Sequence, residues 1–249
     1  HMAVDYATSS GLRELVKALS QSEEEHSDAY GNTTLHHACW NEQGEVVKVL
    51  IEKDKDSVNK VNDRGESPLI LAVKRSNLVI TELLLLAGAQ PELADLDGIM
   101  PLHIAAENGE LFVAKALLGA GAGIETKTTD GQTPLILAAR RGRNDLTAML
   151  IEAGADVNQV DNEQHSALYY AAEAGFTEIV EQLLMAGAEP DRTAHLLDPE
   201  AAAGALKLEE ADAVFILYDV YTIPLANRTK ERVKELMEKE GEKNERHEN

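Results

Sequence analysis

Few side chains in this sequence are of the types that catalyse, ligate metals or cradle phosphates. There is one cysteine, Cys39, against eight histidines. No H-E-x-x-H string and no paired cysteines occur, so the usual zinc patterns are absent. His36 and His37 are neighbours on an expected helix, so their rings point apart and cannot share a metal. Asp54-Lys55-Asp56 is too short for a calcium loop, whose ligands spread over about twelve residues. Gly119-Ala120-Gly121-Ala122-Gly123 is similar to a dinucleotide glycine run, but it follows a helix rather than a strand. Cys39 lies in a pair of small residues and reads as a packed thiol. No catalytic residue, cofactor or metal is therefore expected. What remains is recognition by charge and shape.

The charge is lopsided. The 249 residues carry 23 Lys+Arg against 44 Asp+Glu, a formal net charge of −21. Nucleic acid is excluded as a partner, because phosphate contacts need a positive face. An anionic membrane is excluded on the same ground. Apolar residues reach 44%, too many for a disordered acidic chain, and aromatics only 4%. The core must then come from Leu, Ile, Val and Ala. A single thiol forms no internal disulfide, which favours a reducing compartment, cytoplasmic or nuclear. The longest apolar runs, 83–87 and 213–218, fall far short of a membrane span. The start has no signal-peptide pattern; His1 reads as a cloning remnant, with Met2 the expected native start.

The elements that position any site are set by self-similarity. The tetrads Thr33-Thr34-Leu35-His36, Ser67-Pro68-Leu69-Ile70, Met100-Pro101-Leu102-His103, Thr133-Pro134-Leu135-Ile136 and Ser166-Ala167-Leu168-Tyr169 align, with leucines 34, 33, 33 and 33 residues apart. Small pairs follow in phase: Ala38-Cys39, Ala72-Val73, Ala105-Ala106, Ala138-Ala139 and Ala171-Ala172. So do Gly88, Gly121, Gly154 and Gly187, each between alanines. Thr or Ser before Pro is a helix N-cap followed by a favoured first residue. The small pair lets helices approach closely. Val46, Val47, Leu50 and Ile51, or Ile179, Val180, Leu183 and Leu184, form the apolar stripe of a second helix. The glycine ends that helix in a left-handed conformation. Turn-rich segments such as Asp95-Leu96-Asp97-Gly98 return the chain to the next unit.

These motifs, with the exit Gly154-Ala155-Asp156-Val157-Asn158, resemble the ankyrin repeat family over residues 28–193. The resemblance implies an all-α solenoid of five repeats: 28–61, 62–94, 95–127, 128–160 and 161–193. Leu35, Leu69, Leu102, Leu135 and Leu168 should be buried. Residues 5–27 read as an N-terminal capping half-repeat, with Leu12, Leu15, Val16 and Leu19 on one face. Residues 194–226 read as a degenerate repeat or C-terminal cap, and 227–249 as a charged helical tail. That tail holds seven basic and seven acidic residues, so the whole excess charge falls on 1–226. The tetrad histidine, which ties neighbouring fingers together in the family, survives at His36 and His103. Repeat one carries an extra residue near 54–57 and lacks the glycine exit. Gln164 stands where a turn glycine is expected.

The resemblance also implies where a partner sits: a concave groove of turn fingertips and exposed first-helix positions. Carried over by motif position, these include Tyr30, Arg64, Glu66, Asp97, Asp130, Glu163 and His165 on the fingers. On the first helices they are Trp40, Asn41, Lys74, Arg75, Glu107, Asn108, Arg140, Arg141 and Glu173. Asp97, Asp130 and Glu163 make an acidic row, with Glu66 near it, suited to Lys or Arg of an extended partner. Lys74, Arg75, Arg140 and Arg141 are basic islands that either pair with the fingertip acids or receive acidic groups. Trp40, the only tryptophan, lies beside Tyr30 as a hot-spot candidate. Val79, Leu86 and Phe112 fall at outward positions of the second helices in repeats two and three, and read either as scattered exposed apolar residues or as a convex patch serving a second interface or dimer contact. The expected function is non-catalytic protein recognition, as scaffold, adaptor or inhibitor, by a monomer with no small-molecule substrate. The expected partner is a mixed-charge or basic protein segment. Two alternatives stand beside this. One is a secreted bacterial effector acting in a host cytosol, since the glutamate-rich end resembles secretion signals of such proteins. The other is an enzyme or enzyme subunit with the C-terminal segment contributing activity. The exit around Asn158 is also similar to asparagine-hydroxylation targets.

Overall fold

The computed structural model describes residues 27–189. The expected half-repeat at 5–27, apart from its last residue, and the cap and tail beyond 193 lie outside them. The described residues form two compact units, 27–129 and 130–189. The first contains α1 (Thr34–Trp40), α2 (Gly44–Lys53), a 3-10 turn (Lys55–Asn59), α3 (Pro68–Lys74), α4 (Leu78–Leu86), α5 (Pro101–Asn108) and α6 (Leu111–Gly119). The second contains α7 (Pro134–Arg140), α8 (Asn144–Glu152), α9 (Ala167–Ala174) and α10 (Thr177–Met185). Among the described residues no strand forms, only an isolated antiparallel bridge between Val160 and Ser166. No described helix is long and apolar enough to cross a membrane.

Each odd-numbered helix starts where the tetrad predicts. The hydroxyls of Thr33, Ser67, Thr133 and Ser166 accept from the backbone N–H three residues on, and prolines 68, 101 and 134 take the first helical position. Met100 has no hydroxyl, and there the ring of His103 accepts from the Met100 N–H instead (3.0 Å). The five tetrad leucines are 0–2% exposed. Burial pushes the Cys39 thiol up to about 12, so it is inert packing at neutral pH.

Left-handed residues end the elements. Gly88, Gly121, Gly154 and Gly187 close the second helices with φ between 87° and 94°. The first pair ends differently: Asp54 caps the 3-10 turn by accepting from Asp56 N–H (3.0 Å). At the finger turn, Gln164 adopts φ 64° where the other turns use glycine. Between α1 and α2, and between α3 and α4, Glu42 (φ 59°) and Ser76 (φ 55°) take the same strained region without being glycine.

Two buried histidines tie turns together, as the resemblance implies. His36 Nδ1 accepts from Thr33 N–H (3.1 Å), which leaves the Nε2 proton to donate to the Glu66 carbonyl (2.9 Å). His103 Nε2 likewise donates to the Thr126 carbonyl (2.9 Å). Burial depresses both imidazoles below the ordinary 6.5, against the opposing pull of those carbonyls.

Candidate functional site

The fingers are built by their first residue. Asp28 Oδ1 accepts from the N–H groups of Tyr30 and Asn32 (2.8 and 2.9 Å). Asn62 Oδ1 does the same for Arg64 and Glu66 (both 2.9 Å), and Asp95 Oδ1 for Asp97 and Ile99 (3.1 and 2.9 Å). In the second unit Asp161 Oδ1 holds Glu163 and His165 (2.9 and 3.0 Å). These Asx turns are closed by the Asx side chain and backbone; the fingertip side chains of Tyr30, Arg64, Asp97 and Glu163 take no part. Successive turns are joined by one backbone bond each. Asp63 N donates to Tyr30 O, Leu96 N to Arg64 O and Thr129 N to Asp97 O (3.0–3.1 Å), and in the second unit Asn162 N to Asp130 O (3.0 Å).

In the first unit the first two fingers and α1 and α3 enclose a cleft of about 540 Å³. Tyr30 and Trp40 stand at it, 71% and 47% exposed. The Arg75 guanidinium lies over the Trp40 ring, 5.2 Å from its centroid, within cation–π range. Arg75 is itself held by Glu42, whose Oε1 accepts from Nε (3.1 Å) and from a terminal nitrogen (2.6 Å). A strained left-handed residue thus fixes the cation that fixes the indole.

The floor of the cleft is polar and internally satisfied. Lys74 Nζ donates to Glu66 (2.7 Å) and lies 3.8 Å from Asp95. Asn62 Nδ2 donates to Glu66 Oε2 (2.9 Å) and Asn32 Oδ1 (2.8 Å). Burial alone would raise the Glu66 carboxyl, but these bonds and the Lys74 charge outweigh it and hold it low. Asp28 is brought to about 2, first by the Asn32 side chain and then by turn N–H groups. At the mouth, Asp63 and Arg64 are exposed neighbours of opposite sign.

The second unit carries a different cluster. Tyr170 donates its hydroxyl to Asp161 Oδ2 (2.6 Å). Burial and then that bond push the phenol up to about 12. Arg140 lies over the Tyr170 ring at 5.4 Å and reaches Gln132 Oε1 at 3.5 Å. His165 stacks on Tyr169 (3.8 Å, 10°), and its Nδ1 is 3.5 Å from Glu163.

The sequence expectations sort against this geometry. Tyr30, Trp40, Arg64 and Lys74 converge on the cleft. Asn41, Arg75, Asn108, Arg141 and Glu173 are exposed, as are Asp97 in the first unit and Asp130 and Glu163 in the second. Glu66 is the correction: at 7% exposure it is a buried partner of Lys74, not an open member of an acidic row. Its side chain turns inward because Asn62 and Lys74 satisfy it there. Glu107 is only half-buried at its helix end. The basic islands follow their separate neighbours. Lys74 pairs with a finger acid as expected, whereas Arg75 pairs with an inter-helix acid and Arg140 caps an aromatic ring. Sequence reasoning missed Glu42, Asp161 and Tyr170. The last two had a signal in the aligned columns. Position 170 matches His37, and His37 Nε2 likewise meets Asp28 Oδ2 (3.0 Å), the counterpart of Asp161. Among the described residues no group of three or more metal-ligating side chains forms.

Against known families, the description "Ankyrin repeats (3 copies)" matches this chain over residues 4–95, 44–128 and 102–194. No curated protein matches it.

Proposed function

The chain belongs to the ankyrin repeat family, whose repeats mediate protein–protein interaction, and we propose that it is a non-catalytic recognition module. Its first unit takes a segment of a partner protein into the cleft beside Tyr30 and Trp40. The observation that carries this reading is the pair of exposed aromatic rings over a fully satisfied polar floor. Large apolar rings left open to water lose least by being covered by a partner. The floor is already ordered by Asn62, Glu66 and Lys74, so binding requires little reorganisation. The adjacent Asp63 and Arg64 favour a mixed-charge segment over a uniformly basic one. Rim charges of this kind chiefly set association rate and salt dependence. Scaffold, adaptor and inhibitor all fit a module of this kind, and a single buried thiol suits work in the cytoplasm or nucleus.

The test is affinity capture with mass spectrometry at two salt concentrations, with the intact chain beside Trp40→Ala and a Tyr30→Ala, Trp40→Ala double variant. Partners retained by the intact chain and lost by both variants support the cleft. Partners that the double variant keeps, with its fold intact by circular dichroism, would move recognition off this surface.

A further inference from the structure

The second helices differ from one another on the side turned to solvent. In the outward register α2 carries Glu45 and Glu52, α8 Asp145 and Glu152, and α10 Glu178. The same register in the neighbouring helices α4 and α6 holds Val79, Leu86 and Phe112, exposed by 62%, 87% and 68%. Val79, Leu83 and Leu86 follow i, i+4, i+7, so they share one helical face. α4 and α6 pack side by side in the first unit, so these three residues lie on two adjacent helices; in the second unit α10 has one exposed apolar residue in this register, Met185 (64%).

Only two charges punctuate it. α4 contains one charged residue, Glu82, and α6 one, Lys115. They occupy the same register position in successive helices and both are exposed. Neither has an ion pair or hydrogen bond among the described residues. On α2 the corresponding Lys48 is paired with Glu45 (2.9 Å).

We propose that the outward face of α4 and α6 is an interface between two copies of this chain. A two-fold contact must be self-complementary, so that what residue i meets on the partner is met in return. An apolar stripe carrying one acid and one base on adjacent helices meets that condition. With the copies related by a two-fold axis between α4 and α6, Glu82 of each faces Lys115 of the other, and the leucine and phenylalanine side chains fill the centre. The face has no net charge, which matters in a chain of charge −21: copies that repel over most of their surface can approach only where that repulsion is absent. This differs from the monomer expected from sequence, and it is independent of the aromatic cleft.

Sedimentation equilibrium of the full chain over a wide concentration range tests it. The expected result is a concentration-dependent rise from 27.1 kDa toward twice that mass. Leu86→Glu and Phe112→Glu should each hold the chain at the monomer mass. Glu82→Lys and Lys115→Glu should each weaken the dimer at least several-fold by setting like charges opposite one another, and the double exchange should restore it. A chain that stays monomeric throughout overturns the proposal. So does a dimer indifferent to Leu86→Glu and Phe112→Glu, or one that the double exchange fails to rescue. A monomeric chain that instead co-sediments with neutral phosphatidylcholine vesicles would assign the face to lipid and likewise overturn it.

Discussion

The two buried histidines make an acid-linked loss of stability that can be assigned residue by residue. His36 and His103 are 0% and 1% exposed, and each uses Nδ1 as an acceptor while Nε2 donates to a carbonyl. Protonating Nδ1 would set its proton against a backbone N–H. In the folded chain both titrate below 6.5, and in the unfolded chain near 6.5. The unfolded state therefore binds more protons under mild acid, and stability rises with pH. The contribution is fully present above about pH 6.5 and is lost as pH falls below it, until the folded imidazoles protonate as well. While both stay neutral, each pH unit costs up to about 1.4 kcal/mol per ring, or about 2.8 kcal/mol for the pair. Urea unfolding between about pH 5.5 and 7.5 reads this out while staying above the range where Glu66 and Asp161 begin to protonate. The informative variant is His103→Ile, because Ile70 and Ile136 fill the same column in other turns at 0% and 1% exposure. It should be less stable at pH 7 by about 1–3 kcal/mol, having left the Thr126 carbonyl and Met100 N–H unpaired. Its stability should then decline more shallowly with acid than the parent's, by up to about 1.4 kcal/mol per pH unit below 6.5. All other titrating groups are common to the two proteins and cancel. Parallel curves would refute the argument, showing that His103 is not a buried neutral ring.

Three further outcomes are expected. Leu102→Ala or Leu135→Ala should cost about 2–5 kcal/mol in urea or thermal unfolding; an unchanged midpoint would contradict the burial of these side chains. Gln164→Gly should stabilise by about 0.5–1 kcal/mol by relieving a left-handed non-glycine residue, whereas Gly131→Ala should destabilise, since its Cβ would come within 2.9 Å of the Asn162 backbone nitrogen. Differential scanning calorimetry should give opposite signs. Trp40 is the only tryptophan, so its emission reports the Arg75 contact directly; Arg75→Ala and Glu42→Ala should shift it in the same direction, and spectra identical to the parent's would mean that the guanidinium does not rest on the indole.

How much was legible in the sequence follows from what each feature depends on. Tetrad, small pair and glycine exit are local signals repeated at fixed spacing, so helix starts, helix ends and the buried leucines could be read directly. The exposed Val79, Leu86 and Phe112 were readable for the same reason. Charge pairing was not. Glu66 looks like any fingertip acid until Asn62 and Lys74 are seen beside it, because the direction of a carboxylate is set by partners from other turns. Glu42 carries no sign in the sequence that it holds Arg75, a residue 33 positions away. Tyr170 lay between: comparing it with His37 in the aligned columns pointed to a bond with the turn acid, but that comparison needed both columns at once.

The turn-to-turn bonds are made by main-chain atoms and by supporting side chains such as His36, Asn62, His103 and Thr129, and the Asx side chains and tetrad complete the finger from beneath. The side chains at 30, 64, 97, 130 and 163 carry none of that work. Tyrosine, arginine, aspartate and glutamate accordingly occupy one column with no change in the loop. For a gene that grows by duplicating a 33-residue unit, this separates inheritance into two channels. Selection can hold the supporting positions nearly fixed while the tips diverge freely, so a new specificity requires no new architecture. The same separation makes the tips the natural place to randomise in a library drawn from this chain.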